Sequence, residues 1–235
     1  MVSDLIFLPK VVCMSKYPLA KSLIRTATRE SFENARNILD LMIEDWPTRL
    51  VVYLLKLDLA LAEFPEDPEA YRDIILKVIA VIQLTETTFK TILRRIHVLV
   101  SKKAAAQACQ CVDTLISKRL LPMEKESWLE QAFVTRLWIM LQSPKCLEES
   151  GIAPLKELLD AMTRKLEKPL SPKATHAAQI LLWKVSEVMY VQEKYRLASL
   201  WCRVALHMVF DKSGELNYAK IARSARLWFY CRIVG

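Results

Sequence analysis

Residues 179–212 read QILLWKVSEVMYVQEKYRLASLWCRVALHMVFDK. Leu182, Val185 and Met189 recur at spacings of three and four, with Ser186 beside them, so they share one side of a helix. A polar break at Gln192 to Lys194 follows. Ala198, Cys202 and Ala205 then repeat the same spacing and define one side of a second helix. Where the two helices would touch stand the small residues Ser186, Ala198 and Ala205, which let the helix axes approach closely. Two helices of similar length joined by a short polar turn are the unit that decides the fold.

This alternation of large and small positions fits the tetratricopeptide pattern, and the stretch is the clearest single repeat in the chain. Working outward, apolar spacing and breakers predict further helices. Phe32, Ala35, Ile38, Leu39, Met42 and Ile43 form one face of a helix that stops before Pro47. Pro47 is expected to open the next, which carries Leu50, Leu54, Leu57 and Leu61. A third runs from about Pro68 to Ile82, and Thr85 caps a fourth containing Phe89, Ile92, Leu93, Ile96 and Leu99. A fifth spans about Lys103 to Lys118, a sixth Glu124 to Gln142 and a seventh Pro154 to Glu167. Ser171 followed by Pro172 marks the start of the eighth, with a hydroxyl at the cap and proline at the first helical position. It runs to about Gln192, the ninth covers Lys194 to Phe210, and a tenth begins near Leu216. Pairs recur about every 34 to 40 residues, the signature of stacked helical repeats. The expected fold is all-α, a tetratricopeptide-like helical-hairpin solenoid of about ten helices. It would occupy residues 16–235 behind an unmatched segment at 1–15, with an incomplete repeat at 216–235.

Composition agrees. Only three of 235 residues are glycine, against an average near 7%. Nucleotide-binding loops, hairpin turns and strand-to-helix elbows need the positive-φ positions that glycine supplies, so sandwiches, Rossmann domains and α/β-hydrolases are excluded. The longest unbroken apolar run, Leu50 to Leu55, has six residues, against the roughly 20 of a membrane-spanning helix. The first residues, MVSDLIFLPKVVCM, make a poor signal peptide, so an intracellular protein is expected. Its cysteines would then be reduced, packing as small hydrophobes. The net charge of +8 is uneven. Residues 1–170 hold 24 basic and 22 acidic side chains, whereas residues 171–235 hold 10 and 4.

No catalytic constellation is evident: no glycine-rich phosphate loop, no G-x-S-x-G elbow, no H-E-x-x-H. Cys109 and Cys111 stand about 200° apart around a helix, with no histidine near them in sequence, and no metal is expected. His97 and His207 are read as buried or half-buried members of apolar faces, and His176 as solvated. Acidic groups such as Glu66, Asp67, Glu69, Glu148 and Glu149 cluster at helix starts, where the helix dipole favours them. The chain is read as no enzyme, with no cofactor and no small-molecule substrate. Two surfaces are candidates for binding. Trp183, Glu187 and Tyr190 project from the first helix of the clearest repeat toward the groove of the tetratricopeptide frame, as anchors for a partner peptide or as packing against an adjacent repeat. Lys220, Arg223 and Arg226, spaced by three near Tyr218, Trp228 and Tyr230, form either a phosphate-binding stripe or, as favoured, a solvated basic face or one that pairs with a following repeat.

Three stretches resemble one family. They are SFENARNILDLMIEDWPTRLVVYLLKLDLAL from Ser31, AYRDIILKVIAVIQLTETTFKTILRRIHVLV from Ala70, and LLWKVSEVMYVQEKYRLASLWCRVALHMVF with the later NYAKIARSARL. ACQCVDTLISKRL and WLEQAFVTRLWIML connect the second to the third. In this order they resemble the meiosis-specific tetratricopeptide-like scaffolds called sporulation protein twenty-two, Zip-four or testis-expressed eleven. The resemblance implies a nuclear scaffold on meiotic chromosomes, supporting crossover formation and synapsis by gathering recombination and synaptonemal-complex proteins. It also implies a piece of a longer repeat array. A general peptide-binding adaptor and a basic nucleic-acid-binding repeat protein are the alternative readings.

Overall fold

The computed structural model describes residues 8–123, 125–165 and 170–207. Every regular element among them is helical, and the tetratricopeptide-like helical-hairpin fold expected from the sequence is the one observed. The chain divides into two compact units, one ending at Lys102 and the other beginning at Lys103.

The first unit contains α1 (Leu8–Thr26), α2 (Arg29–Asp45), α3 (Leu50–Glu63), α4 (Pro68–Val81) and α5 (Glu86–Ser101). Each helix packs on the next, and α1 also touches α3. Ala20, Ala35, Leu39, Met42, Val52, Leu55 and Leu59 close the core of the first three helices. Tyr71, Ile75, Ile79, Phe89, Ile92, Ile96 and Leu99 are buried in α4 and α5. Polar side chains cap α2, α4 and α5. Thr85 and Thr88 exchange side-chain and backbone bonds in a capping box at α5. Asp67 accepts from Glu69 N–H at 2.9 Å at the start of α4, so this carboxylate serves the backbone. Ion pairs cross between helices: Arg36 with Glu63 and Lys56 with Asp40 join α2 to α3, and Arg95 reaches Asp58 at 2.7 Å to join α5 to α3. Partly exposed pairs of this kind contribute about 0–1 kcal/mol each, so they set register more than stability.

Three expectations are corrected here. Pro47 does not open α3. Trp46 is engaged as the C-cap of α2, and Arg49 N–H closes a turn on the Trp46 carbonyl at 3.1 Å. Pro47 therefore lies inside that turn, its carbonyl accepting from the Tyr53 hydroxyl at 3.0 Å. His97 is exposed; it follows Ile96 by one residue, and the 100° step carries it off the buried face. Finally, α1 is a helix where the sequence reading placed none, with Pro18 in its interior.

The second unit begins with α6 (Ala105–Leu115), which widens into a π-helical turn at Ile116–Leu120 and a short helical turn, α7 (Leu121–Met123). Then come α8 (Glu126–Met140), a 3₁₀ turn at Pro144–Leu147, α9 (Glu149–Lys165), α10 (Pro172–Val191) and α11 (Tyr195–His207). Helix α8 packs on α6 and α10, and α10 packs along α11. The predicted seventh helix starts five residues earlier than expected, at Glu149, with Pro154 inside it. Pro154, the sixth residue of α9, has no N–H to give the Ser150 carbonyl, so the helix forgoes one bond of its ladder there. The predicted helix near 216–235 lies outside the described residues.

Candidate functional site

The pair α10 and α11 carries the candidate surface. Ser171 caps α10, its hydroxyl accepting from Ala174 N–H at 3.3 Å, with Pro172 at the first helical position. Glu130 of α8 in turn accepts from the Ser171 hydroxyl at 2.8 Å and from its backbone N–H, tying this helix start to α8. Leu182, Val185, Met189, Ala198, Cys202 and Ala205 are all buried, as the repeat pattern required. Ser186 is fully buried among them, and its hydroxyl donates to the Leu182 carbonyl at 3.2 Å. That internal bond satisfies a hydroxyl that would otherwise be buried without a partner.

With that side turned inward, Trp183, Glu187 and Tyr190 fall together on another face of α10, at spacings of four and three. The Trp183 indole N–H donates to Glu187 Oε1 at 2.9 Å, which orients the ring along the helix. Tyr190 meets Tyr195 edge-to-face, with centroids 5.4 Å apart and planes at 65°. Both aromatics are half-buried and Glu187 is exposed. Ile180, Val188 and Val191 are also exposed on α10, Val191 at 80%. The result is a mixed helix surface with a braced indole, a braced phenol, exposed aliphatics, the Glu187 carboxylate and exposed Lys184.

Lys220, Arg223 and Arg226 lie outside the described residues. Among the described residues no group of three or more His, Cys, Asp and Glu side chains is placed to hold a metal ion. No described helix is long and apolar enough to cross a membrane. His176 is exposed, as expected. Glu149 stands in the first turn of α9 and pairs with Arg196 at 3.0 Å.

The sequence reading missed a buried ion pair. Arg136 of α8 is 4% exposed, and its Nε donates to Asp113 Oδ1 of α6 at 2.8 Å. Burial pushes the Asp113 carboxyl up, against the pull of Arg136. Burial also works against the Arg136 charge, and the facing Cys109, Asp113 and Cys146 groups more than offset it. A signal was present: Asp113 in ACQCVDTLI and Arg136 in AFVTRLWIM are lone opposite charges inside apolar stretches of neighbouring helices.

The family of meiosis proteins described as SPO22/ZIP4-like matches residues 13–207, most of the chain. The chain belongs to that family. No curated protein and no solved structure matches it. The all-helical repeat fold and membership of the SPO22/ZIP4-like family agree with a non-enzymatic chain.

Proposed function

We propose that this SPO22/ZIP4-like chain is a protein–protein scaffold of meiotic nuclei, holding recombination and synaptonemal-complex proteins on chromosomes and so supporting crossover formation and synapsis. The family match across residues 13–207 carries the reading. The α10 face supports it physically. Trp183 and Tyr190 are large, pre-oriented aromatics with part of each ring open to solvent, the type of side chain that dominates protein interfaces. Pre-orientation lowers the ordering cost that a partner must overcome.

The test replaces the resident copy in meiotic cells with a tagged chain, either wild type or carrying Trp183→Ala and Tyr190→Ala. Wild type is expected on meiotic chromosomes, together with synaptonemal-complex proteins. The double variant, folded by circular dichroism, is expected to lose those partners and to lower crossover number. Absence of the wild-type chain from meiotic chromosomes, or normal crossovers without it, would overturn the scaffold reading. A folded double variant that keeps every partner would move the contact off α10.

A further inference from the structure

A groove of about 560 Å³ in the second unit is lined by side chains of α6, α8, α9 and the Pro144–Leu147 turn. Cys109 from α6 and Cys146 from the turn both line it, as do Asp113 and Arg136. Cys109 is buried whereas Cys146 is half-buried. Arg136 spends its Nε on Asp113, and its buried Nη1 has no hydrogen-bond partner. A buried guanidinium with an unused donor is costly to maintain, and here it faces two thiols in a groove open to solvent. Gly151, the third residue of α9, shows how closely the turn is seated. A Cβ at that position would stand 2.2 Å from the Cys146 carbonyl oxygen.

We propose that Cys146 is a thiol modification site, oxidised by hydroperoxides, with Cys109 as the resolving thiol that converts the product into a Cys109–Cys146 disulfide. This goes beyond the scaffold role and does not rest on it. The Cys109 thiol donates to the Cys146 sulfur, which lowers Cys146 to about 6, against its own burial and with help from Ser143 and Arg136. The same bond, together with burial, raises Cys109 and keeps it protonated. Cys146, half-buried in the open groove, is the sulfur a hydroperoxide can reach and so the nucleophile, with buried Cys109 as its proton-bearing partner. The titratable and charged groups lining the groove beside Cys146 are Cys109 and Asp113 of α6, Arg136 of α8, Glu157 of α9 and Lys145 of its own turn.

In the first step the Cys146 thiolate attacks one oxygen of the hydroperoxide. An S–O bond forms, the O–O bond breaks, and the departing oxygen takes a proton and leaves as water or an alcohol. Cys146 becomes a sulfenic acid. Sulfur of Cys109 then attacks the Cys146 sulfur: the S–S bond forms, the S–O bond breaks, and hydroxide leaves with the Cys109 proton as water. Two thiols are oxidised to one disulfide while the peroxide is reduced by two electrons. Arg136 supplies a positive charge that favours the thiolate, a positioning role.

The experiment uses the reduced full chain. Iodoacetamide labelling of each cysteine is followed by peptide mass analysis across pH, and a second sample receives hydrogen peroxide before digestion. Labelling of Cys146 is expected to level off with a midpoint near 6, where an ordinary thiol rises to about 8.5. At pH 6 the larger thiolate fraction outweighs the weaker nucleophilicity of a low-pKa sulfur, giving roughly tenfold faster labelling than an ordinary accessible thiol. Peroxide is expected to join the Cys109 and Cys146 peptides, and Cys109→Ser to leave a sulfenic acid on Cys146 that a dimedone probe captures. A Cys146 midpoint in the ordinary thiol range would overturn the proposal. So would a peroxide product that lacks the Cys109–Cys146 link, or a folded Cys109→Ser variant whose peroxide-treated Cys146 gives no dimedone adduct. Should a serine variant fail to fold, the wild-type labelling profile and crosslink map decide by themselves.

Discussion

Trp201 offers the sharpest test of how the second unit is held together. Its side chain is fully buried in α11, and the indole N–H donates to the Leu147 carbonyl at 2.9 Å, across 54 residues of sequence. Trp201→Phe keeps an aromatic ring but removes that donor. The Leu147 carbonyl is then left buried without its partner, at a cost of about 1–3 kcal/mol. The smaller ring also leaves a void, adding roughly 1 kcal/mol. The expected total is about 2–4 kcal/mol, which for a chain of this size corresponds to a fall of roughly 4–16 °C in Tm. Urea denaturation followed by far-ultraviolet circular dichroism measures it, with Trp138→Phe as the comparison because Trp138 is 38% exposed. If Trp201→Phe stayed within about 0.5 kcal/mol of wild type, the range of ordinary surface changes, the assigned hydrogen bond would be wrong. Leu147 follows Cys146 in the same turn, so the variant should also speed alkylation of Cys146.

Other outcomes follow from the same reasoning. Ser186→Leu forces a larger side chain into a fully buried position of α10 and should cost about 1–3 kcal/mol in a denaturant titration. Asp113→Ala strands the buried Arg136 and should cost about 3–5 kcal/mol; Asp113→Leu combined with Arg136→Met should recover most of that loss in the same titration. Thr85→Ala dismantles the capping box of α5 and should lower stability by about 1 kcal/mol, with faster amide exchange confined to the first turn of α5.

Local signals on the backbone were legible from residues alone. Ser171–Pro172 and Thr85 are both caps in the structure, and the small residues Ser186, Ala198 and Ala205 are all buried. Each of these depends on neighbours within a few positions, which a linear reading contains. Prolines misled it where competition decides. Pro47 could have begun a helix had Trp46 been available as its cap, whereas Pro154 lies at the sixth residue of α9, inside a helix that a linear reading expects it to open. On the candidate surface, the shared face of Trp183, Glu187 and Tyr190 follows from spacing, whereas the indole–carboxylate bond and the Tyr195 contact depend on rotamers. The Cys109–Cys146 neighbourhood was illegible, because a 37-residue separation and an irregular turn leave no period to read.

Among the described residues, three with side chains, Ala27, Lys103 and Glu193, hold φ values of 55° to 61°. After α10 the geometry is a complete helix-ending motif: Glu193 takes the left-handed position and Lys194 N–H returns to the Met189 carbonyl at 2.9 Å. Glycine is the usual occupant of that position, and a side chain there costs about 1 kcal/mol or more in the folded state. Yet glycine would also enlarge the repertoire of the denatured chain, returning roughly 0.4–1 kcal/mol to the unfolded side. The strain is the larger of the two, so glycine at Ala27, Lys103 or Glu193 would recover a small net gain, and each of these bends holds the fold slightly below its attainable stability.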